Sequence, residues 1–403
     1  EKDRDLRYHS ADELLSDLRR LARDTDSTSA AAASAAAVGP DARKPARRPW
    51  RKIAIGVAIV VLALAALWSS GLLRTSSRSA EPAVGADQER SIAVLPFDNL
   101  SGDPEQDYFS DGLSIEMIAQ LSKISSLDKV IAFNSSRRYR DSDKTVVEIG
   151  EELGAALLLE GTVRQQGERV RVTAQLVDAR EQGQLWAETY DGELSDIFAV
   201  QSRIADQIAA ALRVELSPEL RAQIERRPTE NLEAYSLYLK GQDFRVRYNK
   251  EANQRAIEFY REAVELDPSF AQARAGLAYA SALQGYLYGG EASWLDAAIN
   301  EAETALAIEP GLADAHVALA AAYSIRGRIE LAEQQAKAAI ESSPNSDRGA
   351  VELGWVYVST GRWDEAYAQF RKSLDLNPLH SYNYWSMGIL YLALAEFDQA
   401  EEW

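Results

Sequence analysis

Four prolines set the strictest limit on how this chain can fold. Pro268, Pro310, Pro344 and Pro378 each follow a helix-like run (ELDP, AIEP, ESSP, DLNP), at spacings of 42, 34 and 34 residues. Proline cannot donate a backbone hydrogen bond, so each one closes a helix. A return at 34 residues is the length of a helix–turn–helix unit, which buries its apolar face only against a neighbouring unit. Small residues recur in step with the prolines: Ala320 and Ala332 in one unit, Gly354 and Ala366 in the next. At these positions the two helices of a pair must approach closely.

Two whole units align on this period. His316, Leu319, Ala320, Tyr323, Ala332, Ala336, Ala339 and Pro344 fill the pattern of one, and Ala350, Leu353, Gly354, Tyr357, Ala366, Phe370, Ser373 and Pro378 fill the next. The pattern is similar to the tetratricopeptide repeat, which implies an all-α solenoid over residues 229–403. An earlier unit is expected at about 235–268, and an expanded one at about 271–310 with eight extra residues near 286–292. A last unit starts at Ser381 and is expected to be cut short. In such arrays the first helix of each repeat lines a groove. By phase, Val351, Trp355, Val358, Tyr382, Trp385 and Ile389 face it. Two readings stay open: an aromatic groove for a protein or peptide ligand, or packing against the array's own neighbours. His316 stands where the pattern wants a large packing residue, so it is expected in the core or at its rim, not as a ligand.

Ahead of the array, residues 90–218 read as a mixed α/β unit with its own core. Apolar strands are expected at 90–96 and 129–133, helices at 110–124 and 145–153, then three strands at 157–164, 169–178 and 184–190 and a closing helix at 194–216. Strict alternation of Val170, Val172, Ala174 and Leu176 with Arg171, Thr173 and Gln175 marks a strand with one buried face. The polar turn at 98–107 has the acidic look of a calcium loop, but Leu100 sits where an oxygen ligand is needed and Gly102 is out of place. Its short side chains are expected to bond their own backbone. The stretches EGTVR (160–164), RVRVTAQL (169–176) and LWAETY (185–190), with SIAVLPFDNLSGDPEQDYFSDGL before them, resemble the TolB-like amino-terminal domain. That resemblance implies an accessory domain of bacterial receptor-type kinases, nucleotide cyclases or membrane-bound transcription regulators, usually followed by tetratricopeptide repeats. It carries no catalytic residues.

Residues 53–73 (IAIGVAIVVLALAALWSSGLL) hold no charge over 21 positions. A helix of that length reaches about 30 Å, the hydrocarbon thickness of a bilayer. Arg43, Lys44, Arg47, Arg48, Arg51 and Lys52 precede it, so the positive-inside bias places residues 1–52 in the cytoplasm and 74–403 in the periplasm or outside the cell. A single-pass inner-membrane protein is therefore expected, with 25–52 a disordered basic juxtamembrane linker and 74–89 a second linker. Dimerisation is a further expectation, through the small residues Ala54 and Ala58. Thr25, Ser27, Thr28 and Ser29 in the first linker are candidate phosphosites.

The first 24 residues carry a capping box, Ser10 with Glu13, then Leu14, Leu15, Leu18 and Leu21 at helical spacing. EKDRDLRYHSADELLSDLRRL resembles the close of a bacterial Ser/Thr protein kinase domain, with Arg7 at the position of the arginine that pairs with the glutamate of the family's APE motif. No Gly-rich phosphate loop, H-R-D or D-F-G occurs in the chain. The chain is therefore expected to be a fragment without catalytic residues, metal or cofactor, with ATP and Mg confined to a kinase lobe upstream. Cysteine is absent, which excludes thiolate metal sites and cysteine nucleophiles. The net charge of −18 argues against nucleic-acid partners. Two functions follow: the sensory, protein-binding region of a membrane Ser/Thr kinase, or a non-catalytic membrane-tethered scaffold or accessory region of a transcription regulator or cyclase.

Overall fold

The computed structural model describes residues 90–403, except 290, 395, 397, 398 and 401–403. The capped segment at 1–24, the candidate phosphosites Thr25, Ser27, Thr28 and Ser29, and the apolar stretch 53–73 lie outside the described residues. Among the described residues no helix is long and apolar enough to cross a membrane.

The chain begins with β1 (Ser91–Val94), a two-residue β2 (Asp98–Asn99), α1 (Asp107–Ser122), β3 (Lys129–Ile131), a single turn α2 (Phe133–Ser136) and α3 (Val146–Leu153). Three long strands follow, β4 (Leu157–Gln166), β5 (Arg169–Asp178) and β6 (Gln184–Glu193), then α4 (Ile197–Ala211). The sheet order is β3-β1-β4-β5-β6, with β2 pairing on β4. β1 lies parallel to β3 and β4, and β4, β5 and β6 run antiparallel.

The sequence explains this split. β1 and the first half of β4 are apolar at consecutive positions because both faces are covered. Ile92, Val94, Leu157 and Leu159 join the core beneath α1 and α4, and Ala93, Leu95 and Leu158 join a smaller one with Ile149 and Leu153 of α3. In β5, Val170, Val172, Ala174 and Leu176 are buried, and the alternate residues form a polar face. There Arg171 pairs with Asp191, the Thr173 and Thr189 hydroxyls meet at 3.2 Å, and the Gln175 amide donates to Glu160 at 2.6 Å. The turn after β2 bonds itself: Asn99 Oδ1 accepts the Ser101 amide at 2.9 Å, and Asp103 Oδ1 accepts the Glu105 amide at 2.9 Å. Thr145 and Glu148 form a reciprocal cap on α3, and Gly154 closes it in the left-handed region at φ +60°.

A helix that the pattern reading missed follows, α5 (Pro218–Glu225), capped by Ser217. The repeats are the helix pairs α6 (Leu232–Arg245) and α7 (Lys250–Leu266), α8 (Ala271–Tyr286) and α9 (Ser293–Ile308), α10 (Ala313–Ile325) and α11 (Ile329–Ser342), α12 (Asp347–Ser359) and α13 (Trp363–Leu376), then α14 (Ser381–Ala393). Each repeat proline stands two residues beyond its helix. The eight-residue excess of the second unit is divided among three places. α8 has 16 residues where α10 and α12 have 13. The following loop spans 287–292 where the others span 326–328 and 360–362. α9 has 16 residues where α11 has 14.

Close approach within the pairs, and between α7 and α8 of successive pairs, rests on missing side-chain volume. A Cβ added to Gly354 would lie 2.4 Å from the Phe370 ring, and one added to Gly241 or Gly276 would lie 2.5 or 2.7 Å from the Tyr260 ring.

The α/β unit was expected to close around its own core; instead its core continues into the repeats. Tyr235, Tyr238, Leu239, Tyr260 and Phe270 belong to the same buried cluster as Leu113, Met117 and Ile204. The cause is α1, which packs along α6 with Gly112 against Leu239. Polar contacts continue this seam along the array. Asn345 Nδ2 donates to the Ile124 and Leu127 carbonyls at 3.1 and 3.0 Å. The Ala132 amide donates to the Leu376 carbonyl at 2.8 Å, and Ser135 Oγ donates to Asn377 Oδ1 at 2.6 Å.

Candidate protein-binding site

Cavities open along the repeats, and two of them gather polar and aromatic side chains from several helices. The first, about 340 Å³, lies on the seam between α1, α6 and the loops that join successive repeats. Charged groups of both signs line it: Glu116, Lys123, Arg245, Asp314 and Arg348. A buried chain of hydrogen bonds closes one wall. The Tyr260 hydroxyl donates to Gln242 Oε1 (2.8 Å), Gln242 Nε2 donates to the Tyr238 hydroxyl (2.7 Å), and Tyr238 donates to Glu116 Oε1 (2.7 Å). Burial raises the Glu116 carboxyl, with the Tyr238 bond opposing, and lowers the Lys123 amine, with Glu309 and Glu116 opposing. Glu116 is bonded to Tyr238, Lys123 to Gln120, Arg245 to Gln242 and Arg348 to Asp314, so the cavity reads as part of the seam that joins the two parts of the chain.

The second cavity, about 240 Å³, is bounded by the first helices α8, α10, α12 and α14. Tyr279 and Tyr286 come from α8, Ala321 and Ser324 from α10, Glu352, Trp355 and Val358 from α12, and Tyr382 from α14. Of the six residues that helical phase assigned to the groove, Trp355, Val358 and Tyr382 meet here. Trp385 and Ile389 line a separate cleft with Arg138 and Leu379, and Val351 is buried. The aromatic rings nevertheless form one stack across both openings: Trp355 and Trp385 centroids lie 5.3 Å apart, Tyr382 and Trp385 5.4 Å. Trp355 packs edge-on against Phe370 of its own repeat at 5.3 Å, while Trp385 is 45% exposed.

Phase reasoning missed Glu352, which lies three residues before Trp355 and lines the same cavity. Its residue is 9% exposed, and among the described residues no hydrogen bond or ion pair reaches its carboxylate. Burial pushes it up to about 7, against the pull of Arg348 one turn earlier. Arg348 is committed elsewhere: its Nη1 donates to Asp314 Oδ1 at 2.7 Å, and its guanidinium lies 4.0 Å over the Tyr279 ring. Trp355 Nε1–H is enclosed, and the acceptor beside it is the Tyr382 hydroxyl. Burial and the Glu352 charge push the Tyr382 hydroxyl well up. His316 is bonded at the array's rim, with Nδ1 2.6 Å from Gln335 Oε1 and Nε2 3.2 Å from the Pro310 carbonyl. Among the described residues no three His, Asp or Glu side chains converge as a metal-holding set.

Comparison with known proteins agrees with the helical part of this description. The tetratricopeptide repeat family matches at residues 246–270 and 348–378, so the helix pairs are tetratricopeptide repeats following an α/β region. A protein of Rhizobium meliloti (strain 1021), "Putative adenylate cyclase 3", is 38% identical over 258 residues, which is 63% of this chain and 44% of the relative. The chain thus spans less than half of that protein's length. Among solved structures, pilF of Pseudomonas aeruginosa is 24% identical (42% of this chain, 73% of that one, TM-score 0.33). TTC0263 of Thermus thermophilus, a tetratricopeptide-repeat protein, is 21% identical (50% and 96%, TM-score 0.33). YrrB, whose structure is described as that of a tetratricopeptide-repeat protein with an unusual peptide-binding site, is 23% identical (43% and 84%, TM-score 0.30).

Proposed function

We propose that this chain is the sensory, protein-binding region of a larger membrane signalling protein, and that the first helices of its repeats form the binding face. The observation that carries this reading is the second cavity. Four successive repeats contribute side chains to one aromatic opening, and its buried carboxylate has no hydrogen-bond partner among the described residues. Recognition sites are usually apolar clefts with a few convergent polar groups. A photo-crosslinking residue placed at Tyr286, on the cavity's 57% exposed rim, tests it in living cells. Adducts to a second polypeptide are expected; adducts only within the chain would overturn the reading.

In this reading the α/β unit is a TolB-like domain, residues 53–73 are a single span, and residues 74–403 face the periplasm or the cell exterior. Protease should then cleave within 90–403 in spheroplasts while residues 1–52 stay protected; the reverse pattern would invert the topology. The parent would be a Ser/Thr kinase on the strength of residues 1–21, with Thr25, Ser27, Thr28 and Ser29 as autophosphorylation sites. A second reading, favoured by the 38% identity to the Rhizobium protein, makes the same region the accessory part of an adenylate cyclase. Incubating the full-length parent with ATP separates the two. Phosphoprotein supports the kinase, and cyclic AMP supports the cyclase.

A further inference from the structure

The second cavity has an electrostatic character that narrows what it can hold. Glu352 is one of the repeats' most enclosed acidic groups, and the polar neighbour that balances it, Arg348, is bonded to Asp314 and stacked on Tyr279. Around the carboxylate stand the rings of Tyr279, Tyr286, Trp355 and Tyr382. Aromatic faces carry negative electrostatic potential and attract a cation held over them. An anion placed here would meet four rings and a carboxylate. A neutral apolar group would displace water from the Glu352 carboxyl and give it no partner in exchange. Only a cation satisfies both elements at once.

We propose that this cavity seats a lysine or arginine side chain from an extended segment of a protein partner, with Glu352 as its counter-charge and the four rings as its walls. The inference rests on the binding-face reading above and specifies its ligand. Charge complementarity favours a basic segment of a protein over a small free amine: residues 230–403 hold 26 Asp+Glu against 14 Lys+Arg, so a longer basic chain gains from the array as a whole. Opposite charge across an interface speeds encounter and fixes register.

The test is selection of phage-displayed random peptides on the full chain, followed by titration of the enriched peptides against wild type, Glu352→Gln and Tyr286→Ala. Enriched peptides are expected to share one basic position. Replacing that residue with norleucine should weaken binding to wild type about tenfold or more, and to Glu352→Gln less than about twofold. Tyr286→Ala alters an exposed side chain and leaves the core untouched, so it serves should Glu352→Gln fail to fold; it should weaken basic peptides more than their norleucine versions. Peptides that bind without basic preference, equally to both variants, would overturn the cation seat and leave the binding face standing. Tight binding of free n-butylammonium with no gain from peptide context would overturn the peptide assignment. A chain that enriches no peptide would overturn both readings.

Discussion

Glu352 shows how much one side chain can hide in a sequence. On paper it is a glutamate in a helix of a strongly acidic array, a position that reads as solvated surface. In the fold it lies among aromatic rings, because four first helices converge around it. Its ionised form is therefore costly, and the sign of the pH effect follows. The folded state holds the proton up to about pH 7, the unfolded chain only to its ordinary value near 4.5. Stability from this group is full below about pH 4.5 and is lost as pH rises toward 7. Glu352→Gln should raise stability by about 3 kcal/mol at pH 8 and by less than about 1 kcal/mol at pH 5. Urea melts at the two pH values check this; equal gains at both would mean that the carboxylate is well solvated in the folded chain. His380, 7% exposed, has the opposite dependence. Burial lowers its imidazole, so its contribution is present above the ordinary value near 6.5 and is lost as pH falls below it.

Among the elements, those with strong periodicity were the legible ones. The proline spacing and the small residues Gly354 and Ala366 marked the repeat pairs because both are direct requirements of helix closure and helix contact. The strand alternation in β5 was legible for the same reason. α5 was missed although Ser217-Pro218 is a regular helix start, since eight residues with one buried side chain leave almost no apolar pattern. Groove phase was half legible. It aligned Trp355, Val358 and Tyr382, but period alone cannot say that Val351 turns inward or that Trp385 opens on a second cleft. Gly354→Ala tests the close contact. Overpacking against Phe370 costs about 1–3 kcal/mol, which outweighs the roughly 0.5–1 kcal/mol that alanine gains in a helix. A lower urea midpoint is expected; an unchanged one would show that the ring moves aside freely.

For the whole molecule, the seam between the α/β unit and the repeats was invisible in the sequence. Its apolar members, such as Tyr238 and Leu239, look like ordinary repeat core. Its polar members join residues more than 200 positions apart, as with Asn345 and Ile124. A shared core predicts one cooperative transition: far-UV circular dichroism and tryptophan fluorescence should give the same urea midpoint. Two separated midpoints would mean that the parts fold independently. Asn345→Ala, which removes both bonds to the Ile124 and Leu127 carbonyls, should lower that midpoint by the equivalent of about 1–2 kcal/mol. Hydrogen exchange around residues 122–128 should rise with it, and no change there would assign the seam to apolar packing alone.

Isolated solenoids bend like springs, because each unit touches only its neighbours. Here Asn345 and Asn377, on loops at either end of the α12–α13 pair, are fastened to the segments that follow α1 and β3. The α/β unit thus ties successive loops of the coil together, which should restrict bending around the aromatic opening. A guest would spend little of its attraction on ordering the host, and near-misses in size would be turned away instead of accommodated.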